Sequence, residues 1–214
     1  LAAVQQELGS WSRGEGLPVL SDVAAPKSPT RKEESRDKEQ AVIALGFRGT
    51  TLESPDRYAL ELLQEACSDM GSRLFLRIRD ELGLAYYVGA SHLAGRTPGY
   101  FAFYCGTSPG QCSQVEVELL AQAERLRSEG LSAEELERAK AKVIGQKKIA
   151  RQDLGQLALA SALDELYGLG FDHGDQDDAR FSAVSLDDIR RVAAAYLRPE
   201  CASVAVIRGQ PSGT

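Results

Sequence analysis

The sequence predicts an α+β fold: a two-layer sandwich in which a mostly antiparallel sheet carries helices on one face. Two observations lead there. Two β-rich runs, Tyr86–Leu93 and Tyr100–Thr107, follow one another as a hairpin joined through Gly95-Arg96-Thr97-Pro98-Gly99. The helical patterns are grouped instead of alternating singly with strands, so the order reads β, α, α, β, β, α, α, α, α, β. A doubly wound parallel sheet would need strand and helix to alternate.

Taken in order, Leu1, Val4, Leu8 and Trp11 recur at helical spacing, marking the end of a helix too short to stand without a body to pack on. Ser12–Lys38 holds Gly14, Gly16, Pro18, Pro26 and Pro29 and ends in a charged run from Arg31, the composition of a linker. Ala41–Phe47 is apolar and reads as a buried strand. Ser54-Pro55-Asp56 supplies a cap and a proline for a helix whose stripe is Tyr58, Leu62, Leu63, Ala66 and Cys67. Gly71-Ser72 starts a second helix over Arg73–Leu82, stopped by Gly83. After the hairpin come Val115–Ser128, then a helix opened by the capping-box pair Ser132 and Glu135 and running toward Gln152. Leu157–Leu169 and Ser185–Leu197 follow, and Cys201–Ile207 is a last strand. The expected organisation is a terminal helix and linker from a preceding domain over 1–37, one domain over 38–209 and a tail over 210–214. Because the chain opens on Leu1 rather than a methionine, it is expected to be a piece of something longer.

Bulk numbers narrow the function classes. The chain has 214 residues, with 25 Lys and Arg against 31 Asp and Glu, a formal net charge of −6. That balance argues against nucleic acid, which asks for a basic face. No apolar run approaches the roughly 20 residues of a membrane-spanning helix, so a soluble protein is expected, with the compartment, cytoplasmic or periplasmic, left open. Four cysteines, Cys67, Cys105, Cys112 and Cys201, form no CxxC pair and read as structural or free thiols. The only two histidines, His92 and His173, exclude a histidine-rich metal site. His92 lies in a strand with no acidic neighbour and reads as structural. His173 lies in the acidic stretch Asp172–Asp178, which reads as a solvated loop because it lacks the glycine and final glutamate of a calcium loop.

No nucleophile elbow, phosphate loop, dinucleotide fingerprint or zinc helix of the H-E-x-x-H or H-x-x-E-H type occurs. The informative stretch is Gly71–Tyr87. With Ile78 at the centre of the buried stripe, Arg73 and Arg77 share one flank, while Arg79 falls on the other beside Phe75. Arg79 and Tyr86 can then face one space, and such a pair suits a peptide carbonyl or a developing oxyanion. The spacing also fits a surface arginine and a packed tyrosine.

Ser72-Arg73-Leu74-Phe75, Ile78-Arg79-Asp80-Glu81 and Gly83-Leu84-Ala85-Tyr86 together resemble the C-terminal-domain signature of the pitrilysin, insulinase and mitochondrial processing peptidase family, the inverzincin zinc peptidases. Lys38-Glu39-Gln40, Gly99–Gly106 and the helix start Ser132–Lys140 are also similar, so the likeness runs over about Lys38–Gly209. The resemblance implies the processing-peptidase-like sandwich fold and a clamshell around an unfolded peptide. In it, an arginine and a tyrosine seven residues apart complete a zinc site carried elsewhere. Arg79 and Tyr86 have that separation. On this resemblance both are catalytic and substrate-binding, with Tyr86 donating to the oxyanion and Arg79 holding a substrate carbonyl or carboxylate. Tyr87 is carried as a further substrate contact, because the strand register decides which tyrosine enters the site. No metal ligand is expected in this chain; zinc is expected in a related partner domain or subunit, in a homo- or heterodimer. The alternatives are a non-catalytic scaffold or core-type subunit of the same fold, and a stand-alone module that binds peptides along a sheet edge.

Overall fold

The computed structural model describes residues 1–12, 14 and 24–209, so the 210–214 tail and the middle of the expected linker lie outside the described residues. Five strands form one sheet in the order β1-β5-β2-β4-β3. They are β1 (Thr30–Arg36), β2 (Ala41–Arg48), β3 (Tyr87–Leu93), β4 (Tyr100–Thr107) and β5 (Ser203–Gly209). Every pairing is antiparallel except β1 with β5, so the sheet is mostly antiparallel as the hairpin predicts.

Among the described residues, helices cover one face of this sheet and leave the other open. Strand alternation sends Ile43, Leu45, Phe101, Phe103 and Val206 to the covered side, where all are buried. Against the strands lie helices α2 (Asp56–Ala66) and α3 (Cys112–Glu129), while α4 (Ala133–Ala150) packs on α2 and α7 (Leu186–Tyr196) packs on both; Leu63, Leu119, Val143 and Val192 join the four in one core. The opposite parity, including Tyr87, Tyr104 and Ile207, leaves large side chains exposed.

Three expectations are corrected. Thr30–Arg36, read as linker, is an edge strand paired along its whole length with β5. Its charges alternate so that i and i+2 partners share a face: Arg31 with Glu33 at 2.7 Å on one side, Lys32, Glu34 and Arg36 on the other. A strand stabilised by backbone pairing and salt links shows no apolar signal, and a charged edge resists further strand pairing. The acidic stretch around His173 is a 3₁₀ turn, His173–Gln176, leading into helix α6 (Asp177–Ala183), which is anchored by buried Phe181. The terminal helix α1 (Ala2–Leu8) buries no residue; its stripe, with Trp11 beyond it, is exposed rather than packed on the described body.

Elsewhere boundaries shift by a few residues. Helix α5 (Leu154–Leu166) starts earlier than its apolar pattern suggests, because Asp153 caps it by accepting from the Gly155 and Gln156 amides at 2.7 and 3.1 Å.

Candidate active-site segment

The segment that carries Arg79, Tyr86 and Tyr87 is built from both ends. At its start the buried Ser72 hydroxyl accepts from the Phe75 amide at 3.2 Å. Arg73 then locks the segment to α4 through a bidentate pair with Glu135, at 2.9 and 2.5 Å. Glu135 also closes the capping box with Ser132, whose amide donates to it at 2.8 Å. Burial opposes the Glu135 charge, but the Arg73 and Ser132 donors outweigh it and hold the carboxyl below the usual range.

The helix expected over Arg73–Leu82 is present with a different winding: Phe75–Glu81 is a π-helix. The wider turn shows in Leu82 N–H donating five residues back to the Arg77 carbonyl at 3.2 Å. Leu74 and Ile78 are buried beneath it. Arg77 turns to Glu81 at 2.9 Å and to Glu118 of α3 at 3.5 Å. Arg79 alone of the three arginines has no ion pair among the described residues; its guanidinium lies over the Phe75 ring, 4.8 Å from the centroid. Arg79 thus sits beside Phe75, as the helical spacing predicts, and is exposed.

The exit is fixed as tightly. Gly83 takes a positive φ of 63°, which turns the chain so that Leu84 N–H reaches the Ile78 carbonyl at 2.9 Å. Thr107 donates its hydroxyl to the Leu84 carbonyl at 2.6 Å, and the Tyr86 amide donates to the Gly106 carbonyl at 2.8 Å. The Arg79 and Tyr86 side chains are therefore displayed from a short segment clamped at both ends. No hydrogen bond or cation–π contact joins them among the described residues, and Tyr86 is 55% exposed. Tyr87 begins β3 and turns to the uncovered face of the sheet, away from its neighbour. There its ring covers Gly106, and it lies 6.3 Å from the Tyr104 ring, whose own tip covers Gly89. Sequence reasoning missed Tyr104; the period-two register of the hairpin was the signal that places it beside Tyr87.

Among the described residues no group of three or more His, Cys, Asp or Glu side chains is placed to hold a metal ion. The donor set around this segment, arginine and tyrosine with Glu81, Glu118 and Glu135 engaged by arginines and Asp80 as a single exposed carboxylate, does not fit zinc.

Residues 1–143 match the family model described as the peptidase M16 inactive domain. This chain belongs to that family. The matched part of the M16 inactive domain runs from α1 into α4 and contains all of Gly71–Tyr87. Among curated relatives, the zinc protease YmxG of Bacillus subtilis is 28% identical over 165 residues, covering 76% of this chain and 40% of YmxG. A zinc protease of Streptomyces coelicolor is 32% identical over 164 residues, covering 74% of this chain and 35% of its own length. The M16 inactive domain thus spans well under half the length of these relatives. A solved peptidase M16 inactive domain from Pseudomonas fluorescens superposes with a TM-score of 0.85 over 100% of this chain and 51% of that one, at 16% identity, a likeness of fold.

Proposed function

We propose that this M16 inactive domain is the substrate-positioning half of a zinc peptidase, presenting Arg79 and Tyr86 to a zinc site held by another domain or chain. The observation that carries the reading is the clamped segment between Ser72 and Gly106. Among the described residues it leaves Arg79 as the one arginine of its helix without a carboxylate, seven residues before an exposed tyrosine. In this role Arg79 binds a carbonyl or carboxylate of an extended peptide. Tyr86 donates its hydroxyl to the oxygen that gains charge as the peptide bond is attacked. Tyr87 and Tyr104 form an aromatic floor on the adjacent sheet face for substrate side chains. The zinc-bearing partner is a related domain or subunit, and the substrate is a peptide or unfolded protein.

The test is cleavage of a quenched fluorescent peptide by this chain combined with a zinc-bearing M16 partner. Cleavage is expected only from the combination. Tyr86→Phe and Arg79→Ala are each expected to lower kcat by about 10²-fold while association, followed by sedimentation, is retained. Undiminished cleavage in both variants would overturn the site assignment. Because β3 is the sheet edge opposite the charged β1, tight peptide binding by the chain alone would favour capture along that edge instead.

A further inference from the structure

The only two histidines of the sequence, far apart in the chain, line the same cleft of about 530 Å³ on the helical side of the molecule. Its floor comes from α2 and the His92 end of β3, and its outer wall is α5. Leu157, Ala160, Ser161 and Asp164 recur at helical spacing on the side of α5 that faces the cleft. No residue of α5 is buried, so the helix spans this space without filling it. The volume lies in the range of small-ligand sites.

Charges inside the cleft are unevenly matched. Lys147 lies between Asp177 at 3.3 Å and Glu61 at 3.6 Å, and Arg151 faces Asp175 at 3.9 Å. Arg57 has no carboxylate in ion-pair range among the described residues. Its guanidinium donates to the Leu52 carbonyl at 2.9 Å, to the Tyr58 hydroxyl at 2.8 Å and to His173 Nε2 at 2.5 Å. Accepting at Nε2 keeps the His173 ring neutral, so it offers no charge to Asp164, which has no ion pair or side-chain hydrogen bond among the described residues. Nε2 of His92 is buried and also lacks a hydrogen-bond partner. With Arg57 and Asp164 both outside any ion pair among the described residues, the cleft is complementary to a ligand bearing both charges.

We propose that this cleft binds a small zwitterion, a free α-amino acid or dipeptide. The ligand carboxylate meets Arg57, its ammonium meets Asp164, and its side chains lie against Leu52, Leu93 and Leu157. A phosphate would add negative charge beside Glu61, Asp164 and Asp175, and a simple cation would be driven from Arg57. The cleft lies at the far end of β3 from Tyr87, about 20 Å away at some 3.3 Å per strand residue, so it does not depend on the positioning role proposed above.

The experiment titrates the intact 214-residue chain with leucyl-leucine, its C-terminal amide, its N-acetyl derivative and inorganic phosphate, by calorimetry and by NMR of the histidine rings. Saturable binding of the dipeptide with a shift of the His92 ring signals is expected, and either capped form should bind about tenfold more weakly. Asp164→Asn, a change of charge without change of size at a half-buried residue, should weaken the dipeptide about tenfold and leave the N-acetyl form unchanged. Arg57→Gln should mirror this with the amide; if it unfolds by circular dichroism, the Asp164→Asn arm decides. Absent saturation, equal affinity for free and capped peptides, phosphate binding in the dipeptide's place, or an indifferent Asp164→Asn would each overturn the proposal.

Discussion

Arg73, Arg77 and Arg79 are neighbours on one short helix, yet among the described residues only the last is left without a carboxylate partner. Glu135 takes the first and Glu81 with Glu118 the second, while Arg79 has an aromatic ring beneath it that steadies a cation without neutralising it. The two tyrosines divide in the same way. Tyr86 leaves its ring free, whereas Tyr87 lies down over Gly106. Tyr87→Phe is therefore expected to leave peptide cleavage by the assembled enzyme within about twofold, against the loss from Tyr86→Phe, because a packed ring keeps its contacts without a hydroxyl. Steady-state kinetics on the two variants side by side checks this. His92 makes a second residue-level prediction. Burial lowers its pKa from 6.5 to about 4. A base depressed on folding contributes its full stability above pH 6.5 and loses it as the pH falls toward 4, by at most about 3 kcal/mol. His92→Phe should flatten that part of the pH profile of urea unfolding; parallel profiles for the two proteins would refute the assignment.

At the scale of elements, what could be read from the sequence follows what kind of force builds each piece. Strands β2, β4 and β5 and helices α2, α3 and α7 are fixed by burial, so their apolar periodicity announces them. The capping residues Ser132 and Ser185 announce their helices by local hydrogen bonds. Strand β1 is invisible because its partner lies at the other end of the chain and its side chains are charged. The winding of Phe75–Glu81 is invisible for a related reason: nothing in the local pattern separates a π-turn from an α-turn, and the choice is imposed by the clamps at Arg73 and Leu84. The arginine and tyrosine could be picked out by spacing and resemblance, while the cleft that joins His92 to His173 arises only from tertiary packing. Two predictions belong here. Glu135→Ala removes a cap and strands a half-buried arginine, and is expected to cost about 3 kcal/mol in chemical unfolding. Deleting Asp80 should rewind the π-helix into an α-helix and so change where Arg79 stands relative to Tyr86, which lies beyond the deletion. Cleavage by the assembled enzyme is then expected to fall as far as in Arg79→Ala, with the circular dichroism spectrum retained.

For the molecule as a whole, the described core lies between one sheet face and its helices. Helix α1 contributes nothing to the core, so removing residues 1–12 is expected to leave the thermal midpoint of the chain unchanged, as differential scanning calorimetry would show. The strand order has a different reach. Strand β5 lies between β1 and β2, and β1 touches no other strand. During synthesis the first strand therefore leaves the ribosome with no neighbour to bind, and it stays so until the last strand has emerged and slotted in beside β2. The sheet can only be finished after Ser203–Gly209 has been made, and a nascent chain stalled before Ser203 would hold Thr30–Arg36 unpaired however well its other strands had assembled. The alternating charge of that segment, which looks like linker on the page, is what keeps it soluble through the wait.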